Sequence, residues 1–416
     1  MFDWKGKKLL VLGATSLMGE IVREAQRRGA YVVVVDYYEN SPAKKFADEA
    51  LLMNATDVDA LAEYVRENKI DGVLTGFADS LLPAYMQLCR KTGLPCYLDE
   101  EQLKFTTDKA FFKELCRMFD IPVIREYSMD ETPEFPVLVK PVDNSGARGI
   151  YICRKAEDFQ ADKEKALSFS KSGNILIEDY LTYDEATAFY LFVDGKAHLA
   201  AMADRHICDV KDGFIRLPSG YTYPSSGLDK FLTDSHPKFV ALFEKLGIRN
   251  GMMFLQGFLD EDRNFIPYES GYRLTGSLEY HLLEAICGYN PLAMLINFAL
   301  TGKMCEQDIS GRIDPRFSEK AYNISCLMKP GKIAAIRGRE QISALKDVCD
   351  TFYSYEEGYE LPPESWGRLA QIFLRIQVIG GEAGYNRVVD ALKKHLSVSG
   401  ESGEELLITR EIVKSR

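Results

Sequence analysis

Two groups of residues in this chain have the types and spacing to do chemistry. The first is the stretch Phe135-Pro-Val-Leu-Val-Lys-Pro-Val-Asp-Asn-Ser-Gly-Ala-Arg-Gly-Ile150. Lys140 ends an apolar run, where an ammonium group is costly to bury unless an anion meets it. The loop 143–149 that follows contains Asn144, Ser145, Gly146 and Gly149. Its glycines let backbone N–H groups curl around an anion without side-chain interference. Lysine and loop together read as a polyphosphate clamp. The second group is Gln256 and Glu269. The apolar-rich segments 251–260 and 265–270 flank a four-residue turn, 261–264, which sets Asp260 opposite Phe265 and Gln256 opposite Glu269. Directly opposed side chains share a sheet face with Cβ atoms about 4.5–5.5 Å apart, so their oxygens could share one hard cation such as Mg²⁺. Spacing alone leaves a polar cross-strand pair on a wet face as the alternative.

The elements that must position these groups follow from hydrophobic periodicity. Segments 7–12, 31–36 and 72–75 read as buried strands, and 18–28, 57–68 and 81–92 as helices, an alternation that implies βαβ crossovers and a parallel sheet. The turn Gly13-Ala-Thr-Ser-Leu-Met-Gly19, with Asp36 closing the second strand, is like a dinucleotide site, but its spacing is not GxGxxG. A substrate-facing loop or a structural turn is preferred. A helix over 110–119, capped by Thr107 or Asp108, precedes the strand–lysine–loop unit and the strand 150–153. Then come a strand over 174–180, a hairpin of 186–193 and 196–203 around Asp194-Gly195, a polar mobile loop over 204–226 and a helix over 237–246. After the 251–270 hairpin the pattern gives helices over 279–287 and 291–300, short strands at 332–336 and 351–355, and a helix over 385–395. The fold class is therefore mixed α/β and α+β. The domains expected are 1–103, 104–328 with a lid over about 122–182, and 329–416.

Composition narrows the function classes. A chain of 416 residues supports two or three domains. No run approaches the ~20 apolar residues of a membrane span, and residues 1–8 lack a signal-peptide pattern. The nine cysteines are scattered, with no CxxC pair, which fits a reducing cytoplasm rather than a disulfide framework or zinc site. A net charge of −11, with no long basic run, argues against nucleic-acid binding.

In order, these pieces resemble the ATP-grasp superfamily over nearly the whole chain. The series is a βαβ pre-domain, Thr107-Asp-Lys109, Phe135-Pro-Val-Leu-Val-Lys140-Pro, the Gly loop, Ile177-Glu-Asp-Tyr-Leu181, Gln256, Glu269, Arg273 and Gly276-Ser277. The resemblance implies a βαβ pre-domain, a core of two small α+β subdomains that clamp ATP, and a small C-terminal α+β domain. It implies ATP with Mg²⁺ or Mn²⁺, and activation of a carboxylate as an acyl phosphate for attack by an amine. Lys109 and Lys140 resemble the residues that hold ATP phosphates, and 143–149 the loop over the β- and γ-phosphates. Glu178, Asp179, Tyr180 and Leu181 resemble the hinge that binds adenine and ribose, with Glu185 as the alternative ribose carboxylate. His206 lies where some members place a histidine near the nucleotide. Gln256 and Glu269 resemble the metal ligands; Gln at the first position is similar to the carbamoyl-phosphate synthetase branch. The usual Glu-x-Asn-x-Arg is here Glu269-Ser-Gly-Tyr-Arg273, so Gly271 replaces an oxygen ligand of a second Mg²⁺, while Arg273 keeps the position that holds the substrate carboxylate or the transferring phosphoryl group.

The segments 327–333 and 348–358 resemble the accessory domain of amino-acid and peptide ligases. The preferred reading is an amino-acid or dipeptide ligase-like enzyme acting on small carboxylates and amines, without nucleic acid or membrane, and compatible with a homodimer. Arg205, Arg216, Tyr221 and Tyr223 in the 205–226 loop are the candidates for substrate choice. Competing readings are a bicarbonate-activating or purine-biosynthesis-like enzyme of the same superfamily, an NAD(P)-dependent oxidoreductase built on Gly13–Gly19 and Asp36, and a non-catalytic ATP-binding protein suggested by Gly271.

Overall fold

The computed structural model describes residues 2–142, 149–209 and 216–413. Strands β1 (Lys8–Leu12), β2 (Tyr31–Asp36), β3 (Glu49–Leu52) and β4 (Gly72–Leu74) form a parallel sheet in the order β3-β2-β1-β4. Helices Met18–Arg27, Val58–Glu67 and Leu82–Thr92 complete the alternation. The continuous Val and Leu runs of β1 and β2 are buried along their length, as a parallel sheet covered on both faces requires. β3 was not expected from sequence, because Glu49-Ala-Leu-Leu is short and alternates in exposure at the sheet edge.

A capping box at Asp99 starts the helix Glu100–Thr107. Asp108 then accepts from the Ala110 and Phe111 N–H groups and opens the next helix, Lys109–Met118. Lys109 and Lys113 lie four residues apart, on one face of that helix.

Strands β5 (Glu126–Tyr127), β6 (Val137–Pro141), β7 (Tyr151–Cys153) and β8 (Ile175–Asp179) form an antiparallel sheet in the order β5-β8-β6-β7. Val137, Val139, Cys153 and Ile177 make a small core with Ala166 of the helix Ala156–Phe169. Alternation turns Leu138, Lys140, Ile152, Leu176 and Glu178 to the other face.

The remaining strands are β9 (Asp184–Val193), β10 (Lys196–Asp209), β11 (Arg216–Tyr223), β12 (Gly251–Leu259), β13 (Phe265–Gly271), β14 (Ala321–Leu327), β15 (Gly331–Arg337), β16 (Val348–Tyr353), β17 (Glu360–Leu361), β18 (Ile372–Val378) and β19 (Ser397–Gly400). Eight of them build one sheet, β13-β12-β9-β10-β11-β14-β18-β16. Its back is sealed by the helix His236–Lys245, whose Phe243 ring meets Tyr190 at 4.9 Å and Phe192 at 5.1 Å. β17, β15 and β19 make a small separate sheet.

Two expectations change. Within the segment expected as a mobile loop over 204–226, residues 204–209 and 216–223 are strand, and 210–215 lie outside the described residues: Asp204, Arg205 and His206 extend β10 and pair with β11. Their polarity hides a strand because the partners across the ladder are polar too. Pro218-Ser-Gly220, which reads as a turn, is taken up by a bulge after His206, and Gly220 sits so close to β14 that a Cβ there would lie 2.2 Å from the Asn323 carbonyl oxygen. The eight-stranded sheet also crosses the expected 328/329 boundary, since β16 and β18 belong to it. Among the described residues no single helix is long and apolar enough to cross a membrane.

Candidate functional site

The lid face left open by the β6–β8 alternation carries a buried charge cluster. Lys140 pairs with one oxygen of Glu178, and Lys113 Nζ lies 2.6 Å from the other and 3.1 Å from Glu126. Lys113 and Glu178 are each 1% exposed and Lys140 is 6% exposed. Burial opposes ionisation of Glu178, but the charges of Lys140 and then Lys113 outweigh it and hold its carboxyl below the usual range. Both oxygens of Glu178 are thus taken by lysines rather than turned toward a ribose, which corrects the expected hinge role of its side chain. Lys113 was missed from sequence; its i+4 spacing from Lys109 was the available signal. Around the cluster Leu138, Ile152 and Leu176 remain partly exposed, an apolar plate beside the charges.

The hinge runs from β8 into β9. Asp179 accepts from the Tyr127 hydroxyl at 2.7 Å, and the Asp179 and Tyr180 N–H groups donate to Arg125 and Pro136. Leu181 follows, partly exposed. Gly149 has φ +76 and a Cβ there would meet Phe169, so glycine is required at that end of the loop. Asn144, Ser145 and Gly146 lie outside the described residues.

Gln256 and Glu269 are directly opposed, by a different count than sequence suggests. At the turn Leu259, not Asp260, faces Phe265, and a bulge on β13 at Tyr268 restores the pairing of Gln256 with Glu269. The bulge turns the Tyr268 hydroxyl toward Glu185, 3.0 Å away, with Gln256 Oε1 at 3.5 Å. Burial first, then the Glu185 charge, pushes the Tyr268 phenol well up. Glu269 is exposed and Gln256 partly so. Among the described residues no three His, Cys, Asp or Glu side chains group to hold a metal. The residues fit a cation with two protein oxygens.

Cross-strand register extends this face. Glu185, Arg205, Tyr221, Asn323, Gln377 and Asp350 form one transverse row over six neighbouring strands, β9, β10, β11, β14, β18 and β16. Arg205 pairs with Glu185. Tyr223 is fully buried and stacks on Phe317 at 5.8 Å, so it packs the core instead of lining a mobile loop. His206 falls on the opposite face from Arg205 and bonds the Thr222 hydroxyl at 2.8 Å; the structure does not bring it to Glu185 and Gln256.

Arg273 is held by Asp79 of the pre-domain, its Nε 2.6 Å from Oδ1, and its guanidinium lies 5.0 Å from the Phe254 ring centroid. Another cation, Arg375, was missed by sequence reasoning. It lies beside Ser325 and Phe352 in the next row of the sheet. It donates a 3.4 Å hydrogen bond to the Ser354 hydroxyl and pairs with no carboxylate among the described residues. Burial lowers its pKa to about 10. The 13–19 turn comes up against it: Ser16 bonds the Ser354 carbonyl, and a Cβ at Gly276 would touch Leu17 at 3.3 Å and Arg375 at 3.7 Å. Asp36 accepts from the Tyr38 N–H and the Ser41 hydroxyl on one carboxylate oxygen and from the Ala14 N–H on the other, and so ties its own loops together. A cavity of about 540 Å³, lined by the ion pairs Arg23–Glu20 and Arg27–Glu24 together with His281 and Asp350 among others, opens beside β16.

No protein-family model matches the chain. Its sequence is 27% identical over 195 residues to a formate-dependent phosphoribosylglycinamide formyltransferase of Prochlorococcus marinus, and 28% identical over 217 residues to that of Methanocella arvoryzae. These matches take in 44% and 46% of this chain. The chain spans about half the length of the curated relatives it matches, 50% and 47%. Solved structures extend the likeness. The L-amino acid ligase of Bacillus licheniformis superposes with TM-score 0.76 at 18% identity, covering 95% of this chain and 99% of the other. The biotin carboxylase domain of Hydrogenobacter thermophilus 2-oxoglutarate carboxylase, a dimer in complex with MgADP, ADP and bicarbonate, gives 0.75 at 17%, covering 94% and 91%. These likenesses cover 94–95% of the chain, and the chain has the ATP-grasp fold.

Proposed function

We propose that the chain is an ATP- and Mg²⁺-dependent ligase that activates a small-molecule carboxylate as an acyl phosphate for attack by an amine. The observation that carries this reading is the lid cluster: the buried Lys113 and Lys140 share Glu178, and Glu126 lies between Lys113 and Arg117, so three cations against two carboxylates leave one positive charge in excess on a face flanked by an apolar plate. A polyphosphate matches that charge and a flat base matches Leu138, Ile152 and Leu176. Lys109, on the same helix face as Lys113, adds a second cation for the phosphates. Leu181 and the backbone of Asp179 and Tyr180 would border the base, with Glu185 toward the ribose. A bound Mg²⁺ would neutralise developing phosphate charge, held by Gln256 and Glu269.

Arg375 holds the acid, its guanidinium donating to the substrate carboxylate. A carboxylate held there is oriented so that its oxygen attacks the γ-phosphorus while the bond to the ADP oxygen breaks. The amine then attacks the acyl carbon, inorganic phosphate leaves and the nitrogen loses a proton. Arg273 is kept in place by Asp79 and would meet the transferring group from the pre-domain side.

The relatives support a second reading of the same site, in which the acid is formate or bicarbonate and the amine carries a phosphate. ATP, Mg²⁺ and a panel of acids crossed with amines, with ADP and phosphate release measured, separates the two. Release with amino acids supports the first, release with one-carbon acids the second, and none with either refutes both. The nine cysteines, free in the structure, fit a cytoplasmic setting, and the dimeric Hydrogenobacter domain makes a homodimer the assembly to test by light scattering.

A further inference from the structure

Gln256 and Glu269 occupy one row of the β12–β13 ladder, and Phe254 and Gly271 occupy the next row on the same face. A side chain at 271 would therefore project beside Glu269, where the resemblance places an Asn. The structure shows why none is there. A Cβ at 271 would lie 2.3 Å from Phe254 Cε1 and 2.5 Å from Cζ, far inside the contact distance of nonbonded carbons. The ring has no room to yield: Phe254 is 5% exposed, and above it stands Arg273, which Asp79 holds from the pre-domain. Hydrocarbon thus fills the volume a further oxygen ligand would need. Charge points the same way. The pair offers one carboxylate and one neutral amide oxygen, so a second divalent ion would have only the phosphate oxygens of the nucleotide to neutralise it.

We propose that the site holds a single divalent cation per chain alongside the nucleotide, and that the Phe254 ring sets that number. This rests on the nucleotide reading of the site. The test counts bound Mn²⁺ per chain by electron paramagnetic resonance in the presence of β,γ-imido-ATP, with binding of the analogue followed separately by calorimetry. The wild-type chain binds one Mn²⁺. Gly271→Asn alone keeps one and melts at a lower temperature, because the ring blocks the new side chain. Phe254→Ala alone also keeps one, since it removes the ring without adding a ligand. Phe254→Ala combined with Gly271→Asn gains a second Mn²⁺. Two ions, or none, in the wild type with the analogue bound overturns the proposal and leaves the nucleotide reading standing. A second ion in Gly271→Asn alone, or a folded double variant still at one, overturns the role of Phe254. Failure of the chain to bind the analogue at all refutes the nucleotide reading and the proposal with it.

Discussion

Replacing Glu178 by Gln tests the lid cluster most directly. The substitution keeps the shape and removes the one carboxylate between Lys113 and Lys140, whose side chains are 2% and 7% exposed. Removing one partner of a buried ion pair costs about 3–5 kcal/mol, because a charge is left buried without compensation. For a cooperative unit of 150–250 residues that is a fall in Tm of roughly 6–20 °C. The same variant gains an unneutralised second ammonium group facing the phosphate site, so a bound triphosphate restores more stability to it than to the wild type. Ligand at 100 times its Kd adds about 2.7 kcal/mol from mass action alone, and the variant should exceed this at equal saturation. Differential scanning fluorimetry with and without β,γ-imido-ATP reads both effects. The pH dependence has a definite sign. Glu178 has a depressed folded pKa, so its contribution is present above the ordinary carboxylate pKa and lost as pH falls through the folded value. The gap between wild type and variant therefore closes on acidification. A variant that melts within a degree of the wild type at neutral pH, with unchanged analogue affinity, refutes the cluster as the source of lid stability and of nucleotide binding.

Arg375→Ala should raise KM for the acid roughly 10–150-fold, the loss of a charge-assisted hydrogen bond of about 1.5–3 kcal/mol, with analogue affinity unchanged; steady-state kinetics and calorimetry check this. Glu269→Ala should keep most analogue binding while ADP formation falls about 10²–10³-fold; wild-type turnover would remove Glu269 from the metal site. Asp79→Ala and Arg273→Ala separate anchoring from chemistry. If Arg273 meets the transferring group, its own loss lowers kcat well beyond the loss of Asp79, whereas equal kcat values for the two variants reduce it to an interdomain link.

Much of the scaffold was legible because its signals are local. The Val-rich β2, the Asp108 cap and the Gln256–Glu269 hairpin each lie within a short window of sequence. Even there the hairpin succeeded by compensation: the turn is one residue longer than the count assumed, and the Tyr268 bulge makes up the difference. What was not legible is long-range. Lys113 meets Glu178 across 65 positions and Arg273 meets Asp79 across 194, and no periodicity connects such partners. The transverse row from Glu185 to Asp350 is invisible for the same reason, since its members belong to six strands that become neighbours only on folding. That row also explains the misread 204–226 segment. Polar residues on a sheet face that serves a site break the alternation by which strands are recognised.

The eight-stranded sheet has a consequence for how the chain can be divided. β14 sits in its interior, between β11 and β18, and all seven of its residues are buried. A chain ended near residue 328 would keep β14 but lose β18 and β16, and so would present an unpaired apolar edge to every other copy. Such a fragment should pass into insoluble strand-paired aggregate, and the segment after residue 328 is better regarded as the staple that keeps a sticky edge shut than as an appendage that can be removed.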